Sequence, residues 1–207
     1  MLDYTLIEDA SPYYVRFTHP GIENVIKLCQ HIDVESTFVS GSDSSFSYKR
    51  NPNFSSIQIP ESLKKHLFSY IPMSKYFDFQ YTSLFVSKPG ADFPIHKDGV
   101  ETTFGFNYNI KILDQDCKTH FYSDDILETR EMLIDRNNKG VGVRIVTTTP
   151  EDRPIPAKTM TAQQGECLLF NAGKFHDWDN TLSNNIRIIL VMRSFNTSHL
   201  KIGRAHV

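Results

Sequence analysis

Hydrophobic and polar residues alternate with a period of two through the central part of the chain. Phe77, Phe79, Tyr81, Ser83 and Phe85 alternate with Asp78, Gln80, Thr82 and Leu84, which predicts a strand from Tyr76 that ends at Lys88-Pro89-Gly90. A second strand follows, with Phe104, Phe106, Tyr108, Ile110 and Ile112 on one face and Gly105, Asn107, Asn109 and Lys111 on the other. Further strands are predicted near 118–122, 131–135, 142–149, 166–170, 174–179 and 186–194, with Asn137-Asn138-Lys139-Gly140 as a turn between two of them. Before residue 76 the period differs. Ile22, Val25, Ile26 and Cys29 recur at helical spacing over 21–31, and Pro60 precedes a second helical stretch from Glu61. Many short strands separated by turn residues argue for a mainly β antiparallel barrel or jelly roll whose two helices cover one outer face. The expected organisation is a single domain over 1–207, with a flank over 1–75 and a core over 76–195.

Composition narrows the function classes. The 207 residues carry 22 Lys and Arg against 24 Asp and Glu, a net charge of −2. That balance supplies no electrostatic drive toward nucleic acid or an anionic membrane, so neither is expected as a partner. Three cysteines without a C-x-x-C pair exclude a disulfide framework or a four-cysteine zinc site. The longest apolar run, Ile188 to Met192, is far too short to span a bilayer, and the N-terminus places acids where a signal peptide would be apolar. A soluble, cytoplasmic protein is the expectation.

The residues that carry chemistry begin with Phe93-Pro94-Ile95-His96-Lys97-Asp98-Gly99. On extended backbone His96 and Asp98, two apart, point to one side and offer an imidazole and a carboxylate. By itself H-x-D also fits a surface histidine beside a turn aspartate. His176, in a short predicted strand after Gly173, adds a second imidazole. Two histidines and one carboxylate form the facial ligand set of non-haem Fe(II) sites, which leaves positions open, whereas zinc prefers a closed set with sulfur or a third histidine. Arg187 follows eleven residues later, on a strand that is apolar on both faces. If 181–185 forms a hairpin, Arg187 lies across from His176 and Trp178. A buried arginine needs an anion, either a bound dicarboxylate or a protein carboxylate such as Glu166. Asn107, on the polar face of its strand, would line a wet cavity or simply face solvent. Ser83, Ser87 and Tyr108 are further candidate contacts. Trp178 either walls a pocket or packs in the core, and His120 is a fourth ligand or, more simply, a satisfied strand histidine.

The ordered run Ser87–Asp98, then Gly165-Glu166-Cys167-Leu168-Leu169-Phe170, then His176, Asn180 and Arg187 resembles the iron(II)/2-oxoglutarate-dependent dioxygenases, in particular their aspartyl/asparaginyl and prolyl hydroxylase-like branches. The likeness covers about residues 79–195. It implies a double-stranded β-helix of the cupin type in which His96, Asp98 and His176 hold Fe(II). Arg187 would pair with the distal carboxylate of 2-oxoglutarate, and O2 would be the oxidant. It further implies hydroxylation of an amino acid, a peptidyl residue or a small polar metabolite, with release of succinate and CO2. Asn107 falls where related enzymes place a polar cosubstrate contact, but where they often carry an arginine two residues earlier this chain has Gly105. That departure leaves fewer cations for the cosubstrate. The segment 123–160 has the loop character of a substrate lid. The alternative reading is a non-catalytic cupin that binds a ligand or a structural metal.

Overall fold

The computed structural model describes residues 3–32, 34, 53–75, 77, 79, 81–98, 104–112, 116–125, 132–137, 140–145, 153–161 and 163–194, the backbone alone at 104, 132–137, 140–145 and 194. In chain order its elements are β1 (Thr5–Ala10), β2 (Tyr14–Thr18), α1 (Ile22–Gln30), β3 (Phe54–Gln58), α2 (Glu61–Ser69), a 3-10 turn (Pro72–Lys75), β4 (Tyr81–Ser87), β5 (Ala91–Asp92), β6 (His96–Lys97), β7 (Phe104–Lys111), β8 (Lys118–Phe121), β9 (Met132–Asn137), β10 (Gly140–Ile145), β11 (Lys158–Thr161), β12 (Cys167–Asn171), β13 (His176–Asn180) and β14 (Arg187–Ser194).

The strands form two antiparallel sheets. The first runs β1-β2-β12-β7-β14-β4-β3 and the second β11-β8-β13-β6-β10-β9, with β5 also paired to β13. Together they make a double-stranded β-helix. Alternation along β7, β14 and β4 divides the first sheet into two unlike faces. Phe106, Tyr108, Ile110, Leu84, Val86, Ile188, Leu190 and Met192 point outward and are buried against Val25, Ile26 and Cys29 of α1 and Leu67 of α2. Apolar burial of this kind is worth about 25 cal/mol per Å², and it fixes the register of all three strands, because a slip of one residue would turn these side chains into the barrel. The other face, with Asn107, Asn109, Ser83, Ser87 and Arg187, is therefore held toward the second sheet. A smaller inner core of Tyr14, Phe121, Met160, Leu168 and Phe170 closes one end of the barrel.

The helices sit where their spacing predicts, and both cover the first sheet. Two expectations are corrected and two are filled in. The strand expected from Tyr76 begins at Tyr81: Phe77 and Phe79 are in irregular chain, packed on Phe106 at ring distances of 5.0 and 5.3 Å, so their spacing reflects core packing rather than strand pairing. The N-terminal flank carries strands beside its two helices. β1, β2 and β3 extend both edges of the first sheet, and their mixed exposure masks the alternation. Within 123–160, β11 pairs with β8, and β9 and β10 extend the second sheet beyond β6, with Asn137 opposite Gly140; the turn residues 138 and 139 lie outside the described residues. Finally, β13 and β14 are not a hairpin. They belong to opposite sheets, because the outward row of Ile188, Leu190 and Met192 seats β14 between β7 and β4. Asn180, wholly buried, donates to the carbonyls of Lys88 (2.9 Å) and Asn185 (3.1 Å) and so clamps the crossover.

Candidate metal centre

β6 and β13 pair so that His96 and His176 stand directly opposite one another. The chain reaches this point through the Lys88–Gly90 turn, where Gly90 adopts φ +77°, a conformation that favours glycine. Backbone bonds then fasten the segment to β13 and to the turn before it: Gly90 N–H donates to the Asn180 carbonyl (3.1 Å), Phe93 N–H to that of Trp178 (3.0 Å) and Asp98 N–H to that of Ala172 (2.8 Å). The last of these pins Asp98 just past the end of β6. His96 and His176 are buried, Asp98 is partly exposed, and one ligand atom from each lies within 4.8 Å of the others.

Hydrogen bonding settles which nitrogens are available. Nδ1 of His96 and Nδ1 of His176 each lie 2.8 Å from the carbonyl oxygen two residues earlier, Pro94 and Lys174. A carbonyl only accepts, so each Nδ1 carries the hydrogen and each Nε2 keeps its lone pair for a metal. Burial, reinforced by the charge of His96, lowers the His176 pKa to about 3, so the ring is neutral. Burial pushes the Asp98 carboxyl up. The charges of His96, Arg193 and His176 and a hydrogen bond from Arg193 outweigh it, leaving the group below the ordinary carboxylate range. Two imidazoles and one carboxylate on one side of a barrel fit an open-sided divalent iron site. The alternative of a surface histidine beside a turn aspartate is excluded, because His96 is buried.

Arg187 is 2% exposed. It donates to the Lys118 carbonyl (3.2 Å) and to Thr119 Oγ1 (3.0 Å), while its Nε has no hydrogen-bond partner. Among the described residues no carboxylate pairs with it. Glu166 instead lies 3.7 Å from Arg16, which removes the ion pair considered above. Burial lowers the guanidinium pKa to about 10, so it is still a cation at neutral pH. Its carbon stands 5.9 Å from the ring of Trp178, two residues beyond His176 on the same strand face. Although β13 and β14 do not pair, Arg187 therefore still reaches the side of the barrel that holds the triad. Trp178 is stacked on Phe93 at 5.3 Å, and Phe93 meets the His96 ring at 4.8 Å.

Asn107 faces inward, but its Oδ1 accepts from Arg193 at 3.1 Å. Arg193 also donates through Nε to Asp98 Oδ2 at 3.2 Å and lies over the Phe170 ring at 4.7 Å. Sequence reasoning missed Arg193. The signal was present, since continuing the alternation Arg187, Ile189, Val191 by one step reaches it. Thr119 was also missed, and nothing local marks it. Ser83 and Ser87 lie on the inward face, both buried. Tyr108 does not: it alternates with Asn107 and packs outward in the helix-covered core. His120 faces away from the triad and is engaged with Thr159 Oγ1 at 2.9 Å.

No family model and no curated protein matches the chain. Solved structures do match in fold. HygX from Streptomyces hygroscopicus, solved with nickel, 2-oxoglutarate and hygromycin B, superposes with a TM-score of 0.56 at 10% identity over 93% of this chain and 82% of its own. SnoK, a non-heme alpha-ketoglutarate-dependent carbocyclase of nogalamycin biosynthesis, gives 0.52 at 12% identity over 87% and 78%. The epimerase SnoN, with Fe3+, alpha-ketoglutarate and nogalamycin RO, gives 0.53 at 11% identity over 87% and 77%.

Proposed function

We propose that this chain, which has the double-stranded β-helix fold of those 2-oxoglutarate-dependent proteins, is itself an Fe(II)- and 2-oxoglutarate-dependent oxygenase acting on a small molecule. The observation that carries the reading is Arg187, a buried cation without a carboxylate among the described residues, on the same side of the barrel as a buried His-Asp-His set. A structural metal site needs no such guanidinium. A keto diacid does, because its distal carboxylate would complete the pairing through bidentate hydrogen bonds.

In this reading Nε2 of His96, Nε2 of His176 and Oδ1 of Asp98 would hold the metal. Bound Fe(II) would supply dioxygen activation coupled to the decarboxylation of 2-oxoglutarate to succinate and CO2. Arg187 and Thr119 orient the cosubstrate by its far end, and Trp178 and Phe93 exclude water from its flank. Arg193 and Asn107 keep Asp98 in place. HygX and SnoN were solved with small molecules bound, which favours a small molecule over a peptide. Hydroxylation is the simplest outcome for an unactivated carbon held beside this site; ring closure and epimerisation use the same placement.

The test is spectroscopic and then catalytic. Anaerobic protein with Fe(II) develops a weak visible absorption band and a higher melting temperature when 2-oxoglutarate is added. In air it releases succinate. A folded protein that gives none of these responses is a non-catalytic cupin, and the proposal fails.

A further inference from the structure

We infer that Gly105 is a positioning residue of the metal centre, through the side chain that it lacks. The inference rests on the reading of His96, Asp98 and His176 as metal ligands. Gly105 lies on β7 with Phe170 of β12 opposite it on one side and Arg193 of β14 on the other. On the inward face these three positions form a row across the sheet, and the middle one is vacant. Both neighbours lean into the gap. A Cβ at Gly105 would stand 2.5 Å from the Arg193 Nη1 and 2.5 Å from Phe170 Cε1, closer than side-chain carbons are found.

The two groups that share the vacancy each reach a different ligand. The Arg193 guanidinium, stacked on Phe170 at 4.7 Å, donates through Nε to Asp98 Oδ2. That leaves Oδ1, 3.5 Å from His96 Nε2, as the oxygen turned toward the ligand atoms. Phe170 meets the His176 ring edge-on with centroids 5.2 Å apart. One absent methyl group thus sets the carboxylate and packs the distal imidazole at once. The extra carbon meets both the far end of a flexible arginine and the Phe170 ring, so accommodating it displaces the guanidinium and tilts the ring. The cost falls on Asp98 through the first and on His176 through the second. Outer partners of metal ligands characteristically tune affinity by 10–100-fold.

The experiment titrates the full-length apo protein with Co(II), read by visible d–d absorption, and compares wild type, Gly105→Ala, Arg193→Met and the double variant. Co(II) binding to wild type checks the ligand assignment itself. If it fails, the functional reading falls before the inference is reached. With wild type binding, Gly105→Ala weakens Co(II) by about 10-fold or more and alters the band shape, as Asp98 loses its fixed single-oxygen presentation. Arg193→Met does the same, and in the double variant the losses combine to less than their product, because no guanidinium is left to displace and only the contact with the Phe170 ring remains. Binding by Gly105→Ala within about twofold of wild type, or losses that multiply in the double variant, overturns the inference. If Gly105→Ala does not fold, Gly105→Ala with Phe170→Leu removes the clash with the ring and restores folding, with Co(II) still weakened. Failure of that pair to fold also overturns it, since the strain would then lie in the backbone.

Discussion

The two ends of the inward face of β14 each carry a buried arginine, and the pair is held by opposite means. Arg193 has an anion of the protein: its Nε donates to Asp98, Nη1 to Asn107, and its plane lies on Phe170. Among the described residues Arg187 has neutral partners only, a carbonyl and a hydroxyl, with Nε unpartnered and a pKa lowered by burial. A buried charge costs several kcal/mol to desolvate, and dipoles alone do not return it. A guanidinium left in that state is poised for an anion that arrives from outside. One arginine therefore belongs to the metal ligands and the other to the cosubstrate, although only five residues of the same strand separate them.

Substituting Asp98 by alanine breaks the Arg193 end most severely, since it removes a ligand and the counter-charge of Arg193 together. Divalent metal binding by calorimetry and succinate release should both fall by at least about 100-fold, and the melting temperature should drop because Arg193 becomes an uncompensated buried charge. Arg187→Met is expected to act with the opposite sign on stability. Replacing an unpaired buried charge by an apolar chain of similar length is neutral or stabilising by about 1–4 kcal/mol. The variant's melting temperature without cosubstrate should equal or exceed that of wild type, while the stabilisation by 2-oxoglutarate vanishes. A lower melting temperature with an intact cosubstrate response would abolish the contrast between the two ends.

The contrast was half legible in the sequence. His96, Asp98, His176 and Arg187 were found because each occupies a phase of a short strand or a recognisable spacing, and period two makes facing predictable. What the chain order could not convey was which strands become neighbours. Arg187 was expected across a hairpin from His176, yet the crossover at 181–186 sends β14 into the other sheet, and the contact through Trp178 arises across the barrel instead. Tyr108 was misplaced for the simpler reason that it alternates with Asn107 and cannot share its face. Arg193 needed knowledge of Gly105: a glycine in a strand reads as a weak point, and only the pairing of β12, β7 and β14 turns it into a seat for a guanidinium. The departure from the family pattern at residue 105 was visible, but the cation that fills the space comes from a strand distant in sequence.

The Arg193 end should also carry a pH signature that the other lacks. In the metal-free protein His176 titrates near 3, against an ordinary value of about 6.5 for the unfolded chain. On acidification the unfolded state takes up that proton first. The stability linked to neutral His176 is thus complete above about pH 6.5 and is lost progressively as pH falls toward 3. Urea midpoints measured across this window should decline less in His176→Gln than in wild type, and as much in Arg187→Met as in wild type.

The smallest effect should come from Thr119→Val, which keeps the shape of the side chain and removes the hydroxyl that accepts from Arg187 at 3.0 Å. One hydrogen bond to a buried charged group is worth about 1.5 kcal/mol, or roughly tenfold in an equilibrium constant. Because the bond holds the guanidinium toward the barrel without touching the metal, the loss should fall on the cosubstrate alone. The KM for 2-oxoglutarate should rise by up to about tenfold, kcat should hold, and Co(II) titration should match wild type. A change in Co(II) affinity would mean that Thr119 and the triad form one unit, and the two ends of β14 would then have to be treated as a single site.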